Sequence, residues 1–301
     1  MLKNLTLLII GCIVFVFVAC DSEVEEGVWK SDLKKDVQLT TDFGTIVLRL
    51  SDETPIHRNN FIKLVNQGVY DSVSFHRVIE NFLVQTGDVA TKPAGQITSN
   101  DSAALYYRID AEFRPDLLHR RGALNAARMG DDQNPNRESD GTQFTIIQGR
   151  TYTDSTLALV ENRINQWLAY NKVINKAENK AQLDELAGLM DYMDAIYEKR
   201  VSTDSLTVAT IEADIAAIKA RFDSLTETEL TTMELYHFPE AHREIYKTEG
   251  GAAHLDQNYT VFGQVISGMD VVDSIAGVET NPADKPIDDV RILSAKMIGR
   301  K

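Results

Sequence analysis

The sequence predicts a mainly β domain interrupted by an α-helical block, and three observations carry that prediction. Residues 36–50 alternate apolar and polar side chains on both sides of a glycine turn, as a β-hairpin does. From 151 to 250 the apolar residues instead recur at threes and fours, and no Gly or Pro occurs from 189 to 238. Alternation then returns in YTVFGQVISG and DDVRILSAKMI. The expected organisation is a β unit of residues 36–150 and 251–301 carrying a helical insertion, 151–250, behind a leader of residues 1–19 and a tether of residues 20–35.

The leader has one positive side chain, Lys3, followed by the apolar run LTLLIIGCIVFVFV. That run is shorter than the roughly 20 residues needed to span a bilayer, and it reads as the n-region and h-region of a secretory signal. FVAC, which ends at Cys20, resembles the lipobox of bacterial lipoproteins; the resemblance implies acylation of Cys20 and attachment to a cell-envelope membrane. An uncleaved signal anchor is the alternative, and it also exports and tethers the chain. The only other cysteine is Cys12, so the mature fold is expected to have neither a disulfide nor thiol chemistry. The formal charge is −14, and loss of residues 1–19 takes it to −15, a surface that repels phosphate backbones and speaks against nucleic acid as a partner. The acidic run DSEVEE after Cys20 reads as a solvated tether.

In the β unit, DVQLTTDFGTIVLRL places Val37 and Leu39, then Ile46, Leu48 and Leu50, on one face of a hairpin. Its Asp42-Phe43-Gly44 is turn chemistry: no glycine-rich loop or catalytic-loop HRD accompanies it, which excludes a kinase. TPIHRNNFIKLVNQGVY reads as a helix with Pro55 in its first turn, Phe61, Leu64 and Val65 on one face and Gly68 at its end. FHRVIENFLVQTGD follows as strand material, then a loop-rich section from Thr91 to about Asp101, then RRGALNAARMG, a polar loop, and a second β run TQFTIIQGR. In the insertion, Leu157, Val160, Ile164 and Leu168 mark one helix, Leu183, Leu186, Met190, Met193 and Ile196 another, and Val208, Ile211, Ile215, Ile218 and Phe222 a third. A further helix starts near Pro239 and stops at Gly250 and Gly251. MDVVDSIAG is a short helix between the last two strands.

Three separated stretches, FHRVIENFLVQTGD, RRGALNAARMG with GTQFTII, and HLDQNYTVFGQVISGMDVVDSI, closely resemble in order and content the signature blocks of the cyclophilins, a family of peptidyl-prolyl cis-trans isomerases. The resemblance covers residues 36–150 and about 251–299 and implies a closed antiparallel β-barrel with flanking helices, proline-containing peptide segments as substrate, and no cofactor or metal. The six histidines show no zinc spacing such as HExxH, in keeping with that.

The chemistry implied is light. Rotation about an X-Pro bond has a barrier of about 18–20 kcal/mol set by amide resonance, and no bond has to be made. A catalyst needs an apolar pocket for the ring and a donor aimed at the twisted amide. An acceleration of about 10⁵ requires roughly 7 kcal/mol of preferential transition-state binding, which one or two charged hydrogen bonds plus orientation supply. Arginine suits the donor role because it holds its charge and offers a rigid fork of N–H groups.

By motif position, Arg77 matches the family's catalytic arginine, Phe82 and Leu83 the pocket floor, and Gln85 the glutamine that binds the substrate backbone and orients the arginine. His76 is either a substrate-facing neighbour or a packed core histidine. Ala127, Arg128 and Gln143 match the peptide-binding rim, Leu255 a pocket wall, and Tyr259 the place where the best-known members have His. Phe144, next to Gln143, is expected in the core because strand neighbours point to opposite faces. His254 stands where many eukaryotic members carry a tryptophan linked to cyclosporin binding, so drug sensitivity does not follow. Thr145 occupies a position where the family usually has an aromatic lining the pocket; either a side chain from elsewhere fills the gap or the pocket is wider.

Two functional classes are therefore in play: an exported, lipid-anchored isomerase, or a peptide-binding chaperone module with weak or no turnover. The insertion is either a packed lid or spacer, or a client-binding arm beside the pocket.

Overall fold

The computed structural model describes residues 21–97 and 107–300, so Cys20, the leader and part of the loop-rich section after Thr91 lie outside the described residues. The stretch read as a tether does not stay free. Strands β1 (Glu23–Glu25) and β2 (Val28–Trp29) form a small hairpin over the first long helix, α1 (Pro55–Asn66). Its glutamates remain exposed, as expected of solvated carboxylates, but Val28 is 1% exposed and enters the core. Glu25 accepts from Asn59 at 2.6 Å and Glu26 pairs with Lys63 at 2.7 Å, which ties the hairpin to α1.

The main sheet starts with β3 (Lys35–Thr41) and β4 (Gly44–Leu50), the predicted hairpin, in a register that opposes Val37 to Leu48 and Leu39 to Ile46. It continues with β5 (Arg77–Ile79), β6 (Leu83–Thr86), β8 (Ala123–Ala126), β10 (Phe144–Ile147), β11 (Val261–Ser267) and β12 (Ile292–Gly299), while β7 (Arg108–Ile109) and β9 (Ser139–Asp140) pair separately. The strand order is β12-β3-β4-β11-β8-β10-β6-β5, antiparallel throughout.

The closed barrel expected from the resemblance is here an open, curled half-barrel, because no ladder joins β5 to β12. The outer edge of β5 instead gives its Val78 amide to the carbonyl of Asp284 at 2.7 Å. The chain just before it makes a single bridge, Ser74 to Arg291, with three backbone hydrogen bonds of 2.7–2.8 Å between residues 72–75 and 290–292. The Arg291 guanidinium takes the carbonyls of Ser72 and Thr91, both at 2.8 Å, so part of the seam is closed by a side chain.

Alternation along the strands sends Leu124, Val84, Phe144 and Ile146 inward, each 0–1% exposed. There α1 and α6 (Met269–Ala276) cover them; Phe61 packs on Tyr70 and Phe144 with ring centroids 4.9 and 5.1 Å apart. Phe144 is thus a core residue, as its neighbour relation to Gln143 requires.

Between β10 and β11 run α2 (Asp154–Ile174), α3 (Lys180–Tyr197), α4 (Ser205–Leu230) and α5 (Glu240–Thr248). Thr153 caps α2 through a reciprocal box with Thr156, and the Asp204 carboxylate caps α4 by accepting from the amides of Leu206 and Thr207. Leu183, Leu186, Ile218 and Phe222 pack on Val173 and Ile174 in a core internal to these helices. The ends of the block meet at one point: Arg150 and Gly251 exchange backbone hydrogen bonds of 3.1 and 2.9 Å. Glycine is required there, since Gly149 (φ 71) and Gly251 (φ 152) approach so closely that a Cβ on Gly149 would lie 2.4 Å from Cα of Gly251.

Candidate active site

One row of paired residues builds the site. Strand register opposes Arg77 to Gln85, Gln85 to Thr145, Thr145 to Asn125, and Asn125 to Val261. Directly opposed residues project to the same side of a sheet, so these side chains stand together on the face opposite the aromatic core. Under this row lies a second apolar cluster, including Leu83, Ala123, Ile147, Leu255 and Val261 with Phe82 and Tyr259 at its edge. The two cores follow from one alternation: Val84 and Ile146 face one way, Leu83 and Ile147 the other.

Above the second cluster is a groove of about 300 Å³ lined by Arg77, Phe82, Leu83, Gln85, Ala127, Arg128, Thr145, His254, Leu255 and Tyr259. Ten of the sequence-predicted residues thus converge. Gln143 stands behind the rim, its side-chain oxygen accepting from Gln85 Nε2 at 3.0 Å. His76 is half-buried and not part of the lining; its Nδ1 has no hydrogen-bond partner, and burial lowers its pKa.

Arg77 keeps a side chain 39% exposed, with Nε 3.5 Å from Asp284 Oδ2. Among the described residues the guanidinium forms this ion pair and no hydrogen bond, so N–H donors remain for an incoming carbonyl. Arg128 differs. Its Nε donates to the carbonyl of Asn258 at 2.8 Å, Nη1 to Asp131 at 2.7 Å, and the guanidinium lies 4.6 Å over the Tyr259 ring. It props the Tyr259 wall, its Nε and Nη1 donors already engaged. The buried Thr145 hydroxyl donates to Asn125 Oδ1, so the group that replaces the expected aromatic is satisfied within the sheet.

Part of the groove wall is supplied from outside the β unit. Arg163 and Trp167, both on α2, line the groove, and with Asn125 they are the residues that sequence reasoning did not select. Trp167 sits 6.4 Å from the His254 ring, edge-on, and His254 lies 5.1 Å from Phe82, giving a run of three flat side chains. The His254 pKa is pulled down to about 4, first by burial and then by the nearby Arg163, His119 and Arg150, so the ring is a neutral apolar surface at neutral pH.

Both the rim and α2 are pinned from behind. Buried His57 bonds Glu112 through Nδ1 at 2.7 Å and Ser139 through Nε2 at 2.8 Å, fixing β9; the neighbouring Asp140 then accepts from the Gln143 amide and donates its own amide to the Ala127 carbonyl, both at 2.8 Å. Arg137 donates to the Trp167 carbonyl at 2.8 Å and also chelates Asp131, which accepts from Asn171 of α2 at 2.9 Å.

The chain has the following likenesses. A family model described as cyclophilin type peptidyl-prolyl cis-trans isomerase/CLD matches residues 36–203 and 242–297. A Streptococcus pyogenes protein described provisionally as a bifunctional phosphatase/peptidyl-prolyl cis-trans isomerase is 27% identical over 260 residues, 85% of this chain; the chain spans 37% of that protein's length. A Staphylococcus saprophyticus protein, described provisionally as a peptidyl-prolyl cis-trans isomerase, is 25% identical over 86% of this chain and 89% of its own. A crystal structure of a Cryptosporidium parvum cyclophilin type isomerase aligns with TM-score 0.47 and 16% identity, covering 89% of this chain and 99% of that one.

Proposed function

Because this chain belongs to the cyclophilin family and is a peptidyl-prolyl cis-trans isomerase, we propose that it acts on X-Pro bonds of exported or unfolded protein segments with Arg77 as the donor. The observation that carries this reading is the paired row Arg77–Gln85–Thr145–Asn125 standing over an apolar floor. A proline ring seats against Phe82, Leu83 and Leu255. Gln85, held by Gln143, takes the substrate backbone. Arg77 then donates to the amide as resonance is lost, so its hydrogen bond is stronger in the twisted state than in either planar one. No proton changes hands, and turnover is expected to be flat in pH across the neutral range.

The test is isomerisation of a proline tetrapeptide by the chain without residues 1–19. Arg77→Ala should lower kcat/KM by about 10² to 10³, the usual cost of one transition-state donor, with a much smaller change in peptide affinity. Equal losses in both would sink the assignment. A second reading, a holding module that binds peptide with little turnover, is favoured by Trp167 and Arg163 supplying groove wall from the insertion. Wild-type binding without turnover would select it.

The sequence motif at Cys20 motivates the remaining part of the proposal: attachment to an envelope membrane by acylation, facing the periplasm or cell exterior. Metabolic labelling with a fatty acid should mark the wild type and not Cys20→Ser, and label on both would refute it.

A further inference from the structure

The groove has a sign that the chain as a whole does not. The formal charge is −14, yet the lining includes Arg77, Arg128 and Arg163 and, among the described residues, no carboxylate. Two of these cations are engaged, Arg77 with Asp284 and Arg128 with Asp131. Arg163 is exposed and, among the described residues, has no ion pair or hydrogen bond; its guanidinium lies 4.7 Å over the Trp167 ring. Stacking on an indole orients a guanidinium while leaving its N–H edge open to a planar acceptor. The carboxylate is that acceptor among peptide side chains, and Arg takes it with two parallel hydrogen bonds.

The sign also reverses across Trp167. Its other side lines a second groove of about 400 Å³ between α2 and α4, where Asp223 and Glu227 stand exposed and without ion pairs among the described residues. An acidic client residue is therefore drawn to the proline side of the indole and repelled from the far side.

We propose that Arg163 and Trp167 form a specificity subsite that selects client segments carrying Asp or Glu beside the isomerised proline. This rests on the proline-groove reading above and names the substrate class for it.

The experiment uses the chain without residues 1–19 carrying Trp29→Phe. Trp29 is 44% exposed on the N-terminal hairpin and is the only other tryptophan, so the variant leaves Trp167 as the sole indole reporter. Short peptides with Asp, Asn or Lys on either side of one proline are titrated by fluorescence and assayed for isomerisation in parallel. At low ionic strength the best-placed Asp peptide should bind about threefold to fivefold tighter than its Asn counterpart, as expected for one exposed ion pair, and the Lys peptide weaker than either. The preference should shrink near 0.5 M salt, where screening is strong. Arg163→Ala should level the series and Arg163→Glu should invert it, with circular dichroism unchanged.

Proline-dependent binding and turnover that ignore peptide charge would overturn the subsite and leave the groove reading intact, as would a preference that survives in Arg163→Glu. Peptides with Ala in place of proline provide the separate control. If they bind as well as the proline series and no peptide is turned over, the groove reading itself fails, and the subsite with it.

Discussion

The two sides of the groove are made in different ways. The sheet side places Arg77, Gln85, Thr145 and Asn125 by strand register, so each side chain's position follows from backbone hydrogen bonds. The helical side places Arg163 and Trp167 by the docking of α2 on a polar loop, through Arg137, Asp131 and Asn171. A register slip would move every residue of the first side at once. On the second side, single contacts set single positions. Under the proposed function, chemistry that needs fixed geometry sits on the sheet, and recognition, which tolerates adjustment, sits on the helix.

The largest effect is expected in the aromatic core behind the sheet side. Phe144→Ala, at 1% exposure and packed on Phe61 and Tyr70, should cost about 3–5 kcal/mol by chemical denaturation. A loss below about 1 kcal/mol would mean that the sheet side does not rely on that core. Next is the junction between the sides. A Cβ on Gly251 would lie 2.3 Å from the His119 carbonyl at φ 152, so Gly251→Ala should cost on the order of 1–3 kcal/mol, with the insertion's contacts loosened first. Hydrogen exchange resolved by segment should show α2 and α5 deprotected before β6 and β10; uniform deprotection would contradict the division.

A smaller change confined to the helical side comes from Trp167→Ala. It should weaken peptide binding about tenfold, in the range of a central aromatic anchor, with melting temperature nearly unchanged. A larger fall in kcat than in affinity would assign that side to the chemistry after all.

The smallest effect is in pH. His254 titrates near 4 in the folded protein and near 6.5 when unfolded, so the unfolded chain binds the extra proton between these values. Its contribution to stability is therefore fully present above about pH 6.5 and is lost as pH falls toward 4. His57 and His76 are lowered too, and act in the same direction. Between pH 7 and 5 the wild type should lose more melting temperature than His254→Gln; parallel curves would remove the burial effect assigned to this ring.

The same division explains what was legible in the sequence. Arg77, Phe82, Leu83 and Gln85 lie within one contiguous motif, and alternation alone separates Gln143 from Phe144. Trp167 falls three residues after Ile164 and seven after Val160, on the apolar stripe of α2, so nothing in its spacing distinguishes a groove wall from a core contact. Arg163 reads as an ordinary solvated charge on that helix. Arg128 matches a peptide-contacting position, yet its partners Asn258 and Asp131 are made by folding, which motif position does not encode. Closure of the sheet was illegible for a related reason: it turns on what engages the outer edge of β5 and on an arginine 214 positions later in the chain, Arg291.

The meeting of Arg150 with Gly251 has a consequence for how such a molecule changes over time. A segment whose two ends leave the sheet side by side adds little strain however long it grows, since doubling a closed loop costs only about 0.6 kcal/mol in chain entropy. Under the proposed function, the block between residues 150 and 251 can therefore change in length while the sheet that carries Arg77 keeps its register. Under that function, lengthening or trimming the block should alter which chains are gripped and leave the sheet-borne chemistry in place.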